Sequence, residues 1–120
     1  MSTVLVVEDS LTDTEVLTFY LRQFGLTVVS VGSGEEAEAR LRLDKPDLVI
    51  LDVILPGQSG FELCHYLKTN EETKQIPVVI CSSKGTQVDM LWGSMLGANA
   101  YLAKPIDRQR LMQIVQQFIS

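Results

Sequence analysis

DLVILD, residues 47–52, decides the fold. Four apolar residues in an unbroken run, closed at each end by an aspartate, lack the alternation of a strand with one wet face. They fit a strand buried on both faces of a parallel sheet. TVLVVE (3–8) and PVVICS (77–82) read the same way, and TVVSV (27–31) and NAYLA (99–103) complete a set of five short strands.

The stretches between them carry a helical period. Val16, Leu17, Tyr20, Leu21 and Phe24 fall on one stripe with Gly25 as the stop, and Leu111, Ile114, Val115 and Phe118 form the stripe of the last helix. Thr12…Glu15, Ser33…Glu36 and Ser59…Glu62 have the form of capping boxes, and Thr86…Asp89 is a weaker version. Strand and helix therefore alternate five times without a repeat or a linker. The expected architecture is α/β: a three-layer, doubly wound (βα)5 sandwich around a parallel five-stranded sheet, one domain over residues 1–120.

Composition limits the function. With 120 residues, 46% apolar and 21% charged, the chain is an ordinary globule with room for one core. No apolar run reaches the roughly 18 residues that span a membrane, so membrane insertion is not expected. A net charge of −5 disfavours nonspecific nucleic-acid binding. The acidity is uneven: residues 1–62 hold 11 acids and 4 bases, residues 63–120 hold 4 acids and 6 bases. Cys64 and Cys81 sit inside apolar segments, which suits reduced, buried thiols in the cytoplasm.

In open α/β sheets, ligands bind beyond the carboxyl ends of the strands. The first apolar run ends in Glu8 and Asp9, the third in Asp52, the fourth in Ser82 and Ser83, and the fifth in Lys104-Pro105. Three carboxylates at neighbouring strand ends repel one another unless a cation or proton compensates. Hard oxygen donors without His or Cys point to Mg2+ or Mn2+. A lysine and a hydroxyl opposite them suit a phosphoryl group carried on one carboxylate. Taken singly, each residue has a plainer role: Asp9 as a helix cap, Asp52 as a turn residue, Ser82 as a strand-end hydroxyl. His65 reads as an ordinary helix histidine. Trp92, with Leu91, Met95 and Leu96, forms an apolar arc on the fourth helix, expected mostly as core with part of it open to a partner.

LVVEDS (5–10), LVILDVILPGQSG (48–60), PVVICSS (77–83) and GANAYLAKP (97–105) together resemble the CheY-like receiver domain of two-component response regulators, over the whole chain. The resemblance implies the flavodoxin-like strand order 2-1-3-4-5. It implies Asp52 as phosphoacceptor, with Glu8, Asp9, Asp52 and the Ile54 backbone carbonyl holding Mg2+ or Mn2+. Ser82 would bond the phosphoryl group and Lys104 ion-pair with it. A cis peptide would precede Pro105, and Tyr101 would change rotamer as Ser82 moves. The implied donor is a histidine kinase or phosphotransfer protein. The implied output is a target protein bound on the face of fourth helix, fifth strand and fifth helix. ICSSK (80–84), Trp92-Gly93 and GANAYLAKP resemble stand-alone regulators of pilus motility and phototaxis.

Two departures bear on the chemistry. Ser82 replaces the threonine of many relatives but keeps the hydroxyl. Ile54 is apolar where an attacking water would need a polar partner. The expected role is thus a self-phosphorylating switch, with at most weak autodephosphorylation, rather than an enzyme. An aspartyl-phosphate phosphatase would need an acid at Ile54. A flavin or nucleotide module would need a cradle where EDSLTD (8–13) places acids.

Overall fold

The computed structural model describes residues 2–119 of the domain expected over 1–120. The elements run β1 (Thr3–Val7), α1 (Leu11–Gln23), β2 (Thr27–Val31), α2 (Gly34–Leu43), β3 (Leu48–Leu51), α3 (Gly60–Thr69), β4 (Val78–Ser82), α4 (Gln87–Met95), β5 (Ala100–Ala103) and α5 (Arg108–Phe118). All strand pairs are parallel and their order is β2-β1-β3-β4-β5. The strand order reverses beside β1, the place where this architecture opens a crevice.

The central strands carry the apolar runs because both their faces are covered. Every residue of β3 and β4 is buried, as are the last four of β1. Alternate residues feed two cores. Val4, Val6, Leu48, Ile50, Val79 and Cys81 pack with Leu17 and Leu21 of α1 and Leu111, Ile114 and Val115 of α5. Leu5, Val7, Val49, Leu51, Val78 and Ile80 pack with Ala37 and Leu41 of α2 and Leu63, Cys64 and Leu67 of α3. Cys64 and Cys81 are free and buried, one in each core.

The caps need correction. Helix α1 is capped by Ser10, whose Oγ accepts from the Asp13 amide; neither Thr12 nor Asp9 caps it. The Ser10 amide in turn donates to Glu8 Oε2 at 3.1 Å, so the cap is tied to the end of β1. Ser33 caps α2, but Glu36 reaches back to the Gly32 amide. Ser59 accepts from the Phe61 amide rather than from the Glu62 amide of the expected box. The weaker-looking Thr86…Asp89 pair is a complete box. A second correction concerns α4. Leu91, Trp92 and Met95 are 62%, 49% and 69% exposed, so most of the arc lies outside the core.

Candidate functional site

The carboxyl ends of β1, β3, β4 and β5 bring Glu8, Asp52, Ser82 and Lys104 together. Glu8 and Asp52 are buried just past their strands, and Ser82 closes β4 in full burial. Backbone pairing continues beyond the strands: the Glu8 amide donates to the Val31 carbonyl, that of Asp52 to Val7, and that of Lys104 to Ser82. The Lys104–Pro105 peptide is cis.

Lys104 is the hub. Its Nζ donates to Glu8 Oε1 at 2.7 Å, Asp13 Oδ2 at 2.8 Å and Asp52 Oδ2 at 2.9 Å. The other Asp52 oxygen, Oδ1, accepts from the Ile54 amide at 3.2 Å. The Ser82 hydroxyl accepts from the Lys84 amide at 3.2 Å, and the Tyr101 hydroxyl donates to the Lys84 carbonyl. Tyr101 is thus tied to the loop that leaves Ser82.

The two central acids are pushed in opposite directions. Burial raises the Glu8 carboxyl, and the bonds from Lys104 and the Ser10 amide offset only part of that. Burial also raises Asp52, but Lys104, the Ile54 amide and the Ser82 hydroxyl together outweigh it and hold Asp52 below the ordinary aspartate value. Burial would lower the Lys104 ammonium, yet hydrogen bonds to Asp13, Glu8 and Asp52 raise it well above an ordinary lysine. Asp52 is therefore a carboxylate favoured in its ionised form and held by bonds at both oxygens.

Asp9 stands outside this network. It is exposed and shares a cleft with Glu8, Ser30, Gly32 and Glu36. Ile54 is 55% exposed beside Asp52. Among the described residues no three acids converge as a ready metal cage; the ammonium holds the centre instead. The donor chemistry nevertheless fits a hard divalent cation. Glu8, Asp13 and Asp52 surround one ammonium, Asp9 adds a carboxylate at the mouth, and all these donors are oxygens.

Two residues escape the reading of strand ends. Asp13 lies in the first turn of α1, and its signal is Ser10…Asp13, a cap-and-acid pair two residues before Thr12…Glu15. Gly60 lies at the start of α3, where a β-carbon would fall 1.9 Å from the Asp52 carbonyl oxygen. His65 is exposed on α3, away from the strand-end acids.

The family model described as the response regulator receiver domain matches residues 4–116. Protein PilH of Pseudomonas aeruginosa is 35% identical over 120 residues, 100% of this chain and 99% of PilH. A response regulator structure from Chloroflexus aurantiacus matches with a TM-score of 0.94 at 37% identity, covering 98% of this chain and 96% of that one. The receiver domain of the sensor histidine kinase PA1611 of Pseudomonas aeruginosa, solved with a magnesium ion coordinated in its active-site cleft, matches with a TM-score of 0.89 at 28% identity over 98% and 97% of the two chains.

Proposed function

The chain belongs to the response regulator receiver family, and on that premise we propose that it is the phosphoacceptor switch of a two-component pathway, with Asp52 receiving the phosphoryl group. The observation that carries this is the buried Asp52 carboxylate, kept ionised and aimed by the Lys104 ammonium at 2.9 Å and the Ile54 amide at 3.2 Å. An Asp52 oxygen attacks the phosphorus of a phosphohistidine on a kinase or phosphotransfer protein. The new P–O bond forms as the P–N bond breaks, and its electron pair stays with the imidazole. Lys104 meets the added negative charge, and Ser82 donates its hydroxyl proton to a phosphoryl oxygen.

Mg2+ or Mn2+, when bound, neutralises phosphoryl oxygens during the transfer. Glu8, Asp9, Asp52 and the Ile54 carbonyl would hold it. The magnesium in the active-site cleft of the PA1611 receiver supports a divalent cation at this site. Ile54 offers no polar side chain to position water, so the chain works as a switch with weak autodephosphorylation rather than as an enzyme.

The bond from Tyr101 to the Lys84 carbonyl joins Ser82's loop to β5, so a pull on Ser82 is felt on the α4–β5–α5 face. A target protein binds there; the exposed Val88, Leu91, Trp92 and Met95 support this. The setting is a cytoplasmic motility or taxis pathway, supported by the family resemblance of ICSSK and GANAYLAKP and by the full-length match to PilH.

Intact mass after treatment with a small acyl-phosphate donor tests the assignment. One added phosphoryl group is expected with Mg2+, and none with EDTA or in Asp52→Asn. Undiminished labelling of Asp52→Asn would overturn it.

A further inference from the structure

The Lys104 ammonium is used to its limit. It carries three protons, and its donations go to Glu8 at 2.7 Å, Asp13 at 2.8 Å and Asp52 at 2.9 Å. Glu8 and Asp52 are also the carboxylates that the proposed function gives to the metal. Ammonium and cation therefore compete for the same oxygens.

Asp13 is placed differently. It stands on α1 rather than at a strand end, and its side chain is 33% exposed against 3% for Glu8 and 8% for Asp52. Its position is set by Ser10, whose hydroxyl accepts from the Asp13 amide at 3.3 Å while its own amide donates to Glu8 at 3.1 Å. One turn of chain fixes both carboxylates relative to each other.

Resting on the proposed function, we infer that Asp13 is a positioning residue for metal binding, which holds the Lys104 ammonium aside so that Glu8 and Asp52 can serve the cation. The reason lies in the alternative. The Lys104 side chain is only 11% exposed, and if it gave up Glu8 and Asp52 with no other acceptor it would be a nearly buried, unpaired charge. With Asp13 it keeps one charge-assisted bond, and two protons are freed for a phosphoryl oxygen. Without Asp13 the ammonium falls back on Glu8 and Asp52, and the cation must displace it.

The test is Mg2+ titration calorimetry on wild type, Asp13→Asn, Lys104→Met and the double variant. Asp13→Asn should weaken Mg2+ binding about three- to tenfold, the size of one lost charge contact. In the Lys104→Met background the same substitution should change it less than about twofold, because no ammonium remains to be held aside. For a variant too marginal for calorimetry, the rise of melting temperature with Mg2+ gives the same constant. Equal weakening in both backgrounds would make Asp13 a bare charge or a ligand and overturn the inference, as would unchanged affinity in Asp13→Asn. A wild type that binds no Mg2+ brings down the reading of the site as well. A wild type that binds without this coupling brings down the inference alone.

Discussion

Gly60 sets the freedom of the Asp52 backbone. Its amide donates to the Val53 carbonyl at 2.9 Å, and a β-carbon would sit 1.9 Å from the Asp52 carbonyl oxygen and 2.6 Å from the Val53 Cα. No side chain can rotate to relieve a clash with backbone, so Gly60→Ala must displace the turn that carries Asp52. A loss of about 2–4 kcal/mol is expected in denaturant unfolding, with slower labelling of the surviving fold. Wild-type stability in that variant would show that the turn yields freely. At this scale Glu8, Asp52, Ser82 and Lys104 are legible in the sequence, because each is the polar residue that closes an apolar strand. Gly60 and Asp13 are not. A close backbone approach leaves no pattern of residue types, and Asp13 reads as one more acid on a helix until Ser10 is known to cap it.

Among the elements, α4 departs most from expectation. An apolar helix ordinarily turns its stripe inward, but here Gly93 is the buried residue, lying where a β-carbon would be 2.9 Å from Ile80 Cδ1 and 3.3 Å from the Tyr101 ring. The helix meets the sheet through its smallest side chain, and Val88, Leu91, Trp92 and Met95 are left facing out. Periodicity alone does not say which side of such a helix is inside; the glycine does. Gly93→Val should push α4 off Ile80 and Tyr101, costing about 1–3 kcal/mol by thermal or chemical unfolding. An unchanged melting curve would mean that this contact is slack. The strands are legible for the opposite reason: runs such as LVIL (48–51) are apolar because both faces are covered, which leaves one way to place them.

The whole molecule sets a parallel sheet between two cores and gathers acids at one end of it. Its accessible surface of 6412 Å² is close to the ~6,400 Å² expected of a folded chain this size. The two thiols are spectators. Burial pushes Cys64 up to about 11 and Cys81 up to about 12, and they belong to opposite cores. The chemistry is concentrated where Lys104 balances Glu8, Asp13 and Asp52. In the function proposed above, this balance makes Asp52 the nucleophile rather than one of its acidic neighbours. Borohydride reduction of the phosphorylated protein, followed by peptide mass spectrometry, tests it most directly, because an acyl phosphate is reduced in place to the alcohol and marks its own position. Homoserine at position 52 alone is the expected result; reduction at Glu8, Asp9 or Asp13, with Asp52 intact, would contradict it.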